Sequence, residues 1–152
     1  MIEYIKLLVF KNPNIAVLEL GAGTGGATVP LAEALDQNGL LPFEKYDFTD
    51  VSSGFFERSR SRLQKWDSSI AYKVLDIDKD PIDQGFAEES YDLIIASNVL
   101  HVASHIDTAV SRVRKLLKRG GKLVMIETTR IFPSYNTCIG VLPGWWAGKQ
   151  ME

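Results

Sequence analysis

Cysteine is almost missing from this sequence: Cys138 stands alone among 152 residues, which excludes an intrachain disulfide framework and fits a reducing compartment. A strong charge of one sign is missing too. The formal net charge of −2 offers no basic footprint for DNA or RNA, so no nucleic-acid partner is expected. No apolar run approaches the roughly 20 residues that a membrane span needs, so no membrane partner is expected either. The apolar opening segment carries an acid at Glu3 and lacks a small-residue cleavage site, so it reads as an amphipathic helix rather than a signal peptide. These absences point to a cytoplasmic protein, and no metal site is read from the sequence. Repeats, low-complexity tracts and linker-like stretches are also absent, so residues 1–152 read as one domain. A hydrophobic share of 45% with 24% charged residues can bury a single core and argues against disorder.

What is present is an alternation of short apolar runs with helical patterns. Ile15–Leu20 is a continuous aliphatic run ending in glycines, as expected of a strand buried on both faces. A helix is predicted over 27–35, a strand over 45–50, a helix over 55–66, and strands over 71–76 and Tyr91–Ser97. The clearest helix spans 104–118, with Ser104 and Asp107 as a capping box and Ile106, Val110, Val113 and Leu117 on its apolar face. Gly120 is expected to stop it, and a fifth strand follows over 122–127. Such alternation implies an α/β fold: a Rossmann-like, mostly parallel sheet with right-handed crossovers and helices on both faces. Beyond Thr128, Pro133, Gly140, Pro143 and Gly144 break any period, so the core is expected to be truncated after the fifth strand.

The segment Glu19-Leu-Gly-Ala-Gly-Thr-Gly-Gly26 lies where the first strand meets the first crossover helix. Ligands in parallel α/β sheets bind beyond the carboxyl ends of the strands, and glycines there let the backbone turn tightly and approach them. Gly21, Gly23 and Gly26 also satisfy the G-x-G-x-x-G dinucleotide pattern. Glu19 decides against it, because its carboxylate would face a pyrophosphate but would attract a sulfonium. Glu19-x-Gly21-x-Gly23-x-Gly25 is therefore read as a site for S-adenosylmethionine. Asp50, ending the second strand, is expected to accept the ribose hydroxyls, and Asp76, ending the third, the adenine amine.

With Phe48-Thr-Asp-Val-Ser, Val74-Leu-Asp-Ile-Asp-Lys-Asp-Pro, Ala96-Ser-Asn-Val-Leu-His and Pro143-Gly-Trp-Trp146 added to the glycine turn, the chain resembles a family. It is similar to the C-methyltransferase domains of fungal highly reducing iterative polyketide synthases, from about Asn12 to Gly148. The resemblance implies methylation of the α-carbon of a β-ketoacyl chain on an acyl carrier protein, with other domains of the same synthase as partners. It implies a catalytic pair carried by His101 and Glu127, and a larger domain with a helical lid before the core and more strands after it.

The residues support that pair independently. His101 follows the fourth strand and Glu127 ends the fifth, so in neighbouring strands both would emerge at one rim of the sheet. An imidazole suits proton removal near neutral pH, and a carboxylate on its other nitrogen would fix the tautomer. On that reading Glu127→Gln is expected to be milder than His101→Ala. Asn98, between the fourth strand and His101, is expected to contact cofactor or substrate. His105 reads as surface and Cys138 as structural, while Trp145 and Trp146 line an acyl pocket or pack the tail. Three other functions share parts of this pattern. An inactive, structural methyltransferase-like domain would have lost the glycines or the histidine, a nicotinamide oxidoreductase is disfavoured by Glu19, and only the family strings argue against a small-molecule O- or N-methyltransferase.

Overall fold

In the computed structural model, which describes residues 1–128, all five expected strands form and all pair in parallel. They are β1 (Ile15–Leu20), β2 (Phe43–Asp50), β3 (Ala71–Val74), β4 (Tyr91–Ser97) and β5 (Leu117–Ile126), in the order β3-β2-β1-β4-β5. This is the doubly wound order, and the chain reverses direction across the sheet between β1 and β4. Every residue of β1 is buried, the aliphatic ones as expected and Glu19 with them. The readings made for Cys138, Trp145 and Trp146 fall outside the described residues.

Each face of the sheet carries its own apolar layer. One face meets α1 (Ile2–Lys11), α2 (Thr28–Leu35) and α3 (Phe56–Leu63), with Ile5, Leu31, Phe48, Leu63 and Leu93 among its buried residues. The other meets α4 (Ile106–Leu116), where Leu18, Ile94, Val113 and Leu116 pack together. Burying one such side chain contributes about 1.5–3 kcal/mol, so the two layers fix the sheet as a rigid platform. Helices on both faces and the amphipathic α1 match expectation.

The α4 region departs from it. Residue 105 is the N-cap and no side chain caps the helix; Ser104 instead gives its amide and hydroxyl to Asp78, at 2.9 and 2.8 Å. The buried face is Ala109, Val113 and Leu116, while Ile106 and Val110 are 51% and 42% exposed. Gly120 does not stop the helix, because β5 begins at Leu117 directly after it. The glycine lies instead where the β4–β5 register slips between Tyr91 and Leu93, with φ of +82°. That extra length of chain is absorbed as a bulge, which glycine permits. The helix expected over 55–66 ends at Leu63 and continues as a 3-10 turn, Gln64–Ser69. The third strand stops at Val74, so Asp76 lies in the following turn.

Candidate active site

The turn between β1 and α2 is gripped from two directions. From β2, Thr49 O accepts the Ala22 amide at 2.9 Å, and the Asp50 carboxylate accepts the Gly23 amide at 2.9 Å. From α3, the Ser59 hydroxyl donates to Gly23 O at 2.8 Å and the Arg62 guanidinium to Thr24 O at 2.6 Å. Gly21, Gly23 and Gly25 all have positive φ, a backbone region that side chains disfavour. At Gly21 there is no space either, since a Cβ would collide with Val99, meeting its Cβ at 2.8 Å.

Beyond this turn, at the carboxyl ends of β1 and β4, lies a cleft of about 460 Å³. Glu19, Gly21, Ala22 and Gly26 line it on one side, Ser97, Asn98 and Ile126 on the other. It occupies the position where the strand order reverses, as expected for a ligand site.

Glu19 is 1% exposed, and its Oε2 accepts the hydroxyls of Tyr46 and Thr28 at 2.5 and 2.7 Å. Burial pushes its carboxyl from 4.5 up to about 7, against the pull of those two hydrogen bonds. Between those values the folded protein holds a proton that the unfolded chain releases, so stability falls as pH rises through the window. Glu19→Gln is therefore expected to raise stability at pH 8 by about 1–3 kcal/mol, with the difference fading towards pH 4.5. Urea denaturation at the two pH values measures it.

Asp50 uses both oxygens within the chain, accepting Gly23 N at 2.9 Å and Ser52 N at 3.0 Å. Each oxygen keeps a further lone pair for a ligand hydroxyl. Asp50→Ala would strand both amides, one in the glycine turn, at a cost of about 1–3 kcal/mol each where water cannot replace it. A donor-affinity loss exceeding the stability loss, read by calorimetry and urea denaturation together, would mark its ligand contact. Asp76 accepts the Asp78 amide at 2.9 Å and pairs with Lys79 at 3.1 Å. Partial burial raises its carboxyl, but the amide and Lys79 outweigh this, and the net direction is downward.

His101 lies in the 3-10 turn Leu100–Val102 after β4, and Glu127 directly follows β5. His101 Nδ1 is 2.6 Å from Glu127 Oε2. A carboxylate only accepts, so Nδ1 carries a proton towards it, and in the neutral imidazole the ring lone pair is then on Nε2. The other oxygen of Glu127 accepts the Val99 and Leu100 amides at 3.2 and 2.9 Å. Asn98, at φ +51°, donates its amide to Ile126 O at 2.7 Å and accepts the Thr128 amide on its side chain at 3.1 Å. The ends of β4 and β5 are thus fastened together, with the imidazole side chain 39% exposed beside residues that line the cleft.

All nine residues singled out from the sequence lie at the carboxyl-end rim of this sheet, but they divide into two groups. Glu19, the glycines and Asp50 surround β1 and β2, while Asn98, His101 and Glu127 surround β4 and β5; Asp76 stands apart beyond β3. Residues that hold the site were missed: Tyr46, Thr28, Ser59 and Arg62. Only Tyr46 left a signal, since a tyrosine within a buried strand needs a hydroxyl partner. His105 is exposed, as expected. Among the described residues no group of His, Cys, Asp and Glu is arranged to hold a metal.

A protein-family profile described as a methyltransferase domain matches residues 18–123. The highly reducing polyketide synthase ltbA of Aspergillus luteorubrus is 51% identical over 152 residues, 98% of this chain and 5% of its own length. The chain thus spans only a small part of the curated relatives it matches. The trans-methyltransferase CalH, solved in complex with SAH, aligns with a TM-score of 0.90 and 39% identity over 97% of this chain and 41% of that one. The CurJ carbon methyltransferase aligns at 0.84 with 35% identity, over 97% and 40%.

Proposed function

Because the chain belongs to the family of methyltransferase domains, we propose that it methylates the α-carbon of a β-ketoacyl chain held as a thioester on an acyl carrier protein. It is a transferase that uses S-adenosylmethionine, akin to the C-methyltransferase domains of polyketide synthases. The reading takes other domains of a fungal synthase as partners, in a cytoplasmic setting. No helix among the described residues is long and apolar enough to cross a membrane.

The cleft suits this donor. A glycine backbone lies open to it, a buried acid lines it, and Asp50 holds the adjoining turn. Glu19, Gly21, Gly23, Gly25, Asp50, Asp76 and Asn98 would hold it. Bound there, S-adenosylmethionine supplies an electrophilic methyl, to which the substrate carbon bonds as neutral S-adenosylhomocysteine is left.

The observation that carries the reading is the 2.6 Å contact between His101 Nδ1 and Glu127 Oε2 beside the cleft. With Nδ1 protonated, Nε2 can take the α-proton, which the flanking ketone and thioester make acidic. The electron pair of that C–H bond passes into an enolate, and Glu127 stabilises the imidazolium that results. The new C–C bond then forms by attack of the enolate carbon, favoured by orientation in the cleft. His101 afterwards returns its proton to solvent.

The test supplies the intact protein with labelled donor and two acyl chains on a carrier, one with a β-keto group and one fully saturated. Label is expected in the β-ketoacyl chain alone, on its α-carbon. Equal labelling of both, or label on oxygen or nitrogen, would remove carbon-acid chemistry from the account.

A further inference from the structure

Glu19 is a buried acid in the lining of the cleft, and among the described residues no ion pair holds it in its charged form. Its carboxyl accepts from two neutral hydroxyls, Tyr46 from β2 and Thr28 from α2, both on Oε2. Met1 alone among the residues that share the cleft with it can carry a charge, on its terminal amino group, and that group makes no ion pair with Glu19. Asp50, at the end of β2, is turned to the amides of Gly23 and Ser52. Among the described residues no Lys, Arg or His makes an ion pair with Glu19. A carboxyl so enclosed ionises at a cost, because burial removes its hydration and two hydroxyls restore only part of it. A ligand that brings positive charge into the cleft reverses the balance, since a cation beside the carboxyl favours its ionised form.

We propose that Tyr46 and Thr28 are positioning residues that set the pH range of donor binding, holding Glu19 so that it gives up a proton as the donor's positive charge arrives. The proposal rests on the reading of this cleft as the S-adenosylmethionine site. The proton passes from the Glu19 carboxyl to the buffer, and no other bond changes. With burial pushing Glu19 up to about 7, much of the free protein carries this proton near neutrality. Tyr46 is pushed well above its ordinary value, first by burial and then by the Glu19 charge, so its hydroxyl stays a donor throughout. Of the two hydroxyls Tyr46 lowers Glu19 the more, so its removal moves the proton release to higher pH.

Calorimetry of the intact protein with S-adenosylmethionine, in buffers of unlike ionisation enthalpy, reads affinity and proton release together. The scan runs from about pH 5.5 to about pH 8.5, across the titration of a carboxyl near 7. Wild type is expected to release a fraction of a proton near neutrality, with Kd rising towards about tenfold per pH unit on the acid side. Glu19→Gln loses the part of the release and of the pH dependence that belongs to Glu19. The histidines are common to every variant, so the difference from wild type isolates this group. Tyr46→Phe moves the acid-side rise to higher pH, weakening binding by up to about tenfold at neutrality and returning to wild-type affinity at the alkaline end. Thr28→Val does the same to a smaller degree and serves if Tyr46→Phe fails to fold.

A purely structural role would raise Kd by one factor at every pH and leave proton release unchanged. That result, or a release that Glu19→Gln does not alter, overturns the proposal while the donor site stands. No donor binding at any pH overturns the donor site, and the proposal with it.

Discussion

His101→Ala is expected to slow methyl transfer by about 10²–10⁴-fold, the usual contribution of a positioned general base, with donor affinity nearly unchanged. The separation follows from position: His101 lies in the turn after β4, and the glycine turn that lines the cleft follows β1. The geometry changes the expectation for Glu127→Gln, which from its chemistry alone reads as the milder variant. Glu127 accepts from three nitrogens: His101 Nδ1 on one oxygen, and the Val99 and Leu100 amides on the other. A glutamine has one accepting oxygen and one donating nitrogen. If the oxygen keeps the amides, its NH2 meets Nδ1 and forces the imidazole into the tautomer whose Nε2 carries the proton. If it turns round, the NH2 meets two amide donors. Either arrangement loses the base, so Glu127→Gln is expected to fall close to His101→Ala. In the Ser-His-Asp proteases, the corresponding change of Asp to Asn costs about 10⁴-fold, by the same tautomer effect. Steady-state rates of the two variants, with affinity for S-adenosylhomocysteine as control, decide it.

Gly21→Ala is expected to be the most damaging single methyl group that can be added to the glycine turn. The residue has φ of +56°, and the new Cβ would collide with Val99. Left-handed strain and overpacking together cost about 2–5 kcal/mol, a large part of the stability of an ordinary domain. The damage also travels, because the Val99 amide is one of those holding Glu127. Displacing Val99 therefore disturbs the base as well as the donor side, and methyl transfer should fall further than donor affinity. Gly26→Ala is the control for stability: its φ is not positive and a Cβ there meets no protein atom within 4 Å. Urea denaturation of the pair, with rates and donor calorimetry of Gly21→Ala against wild type, tests this, and equal stability of the two variants would contradict it.

The platform was legible because its signals are local. An aliphatic run ending in glycines makes a buried strand and a tight turn wherever it occurs, and Ile15–Leu20 followed by Gly21 did so. The meeting of His101 with Glu127 was legible too, since acid and base at the ends of successive strands meet once β4 and β5 pair. What escaped depended on partners distant in the chain. Ser104 has a capping consensus, but Asp78, 26 residues away, takes both its amide and its hydroxyl. Gly120 looked like a helix stop because a stop and a strand bulge ask for the same backbone freedom. Glu19 and Asp50 stood out as acids beside glycines, yet what each carboxyl touches is decided on other elements. Tyr46 and Thr28 enclose the first, while the amides of Gly23 and Ser52 occupy the second.

The central claim is that His101, held by Glu127, removes a proton from carbon before any methyl moves. Nuclear magnetic resonance of a β-ketoacyl thioester in deuterated water, with the intact protein and no donor, isolates that step. The wild-type protein should exchange the substrate's α-protons well above the buffer rate, and His101→Ala should exchange them about 10²–10⁴-fold more slowly. Exchange by His101→Ala at the wild-type rate would contradict the account.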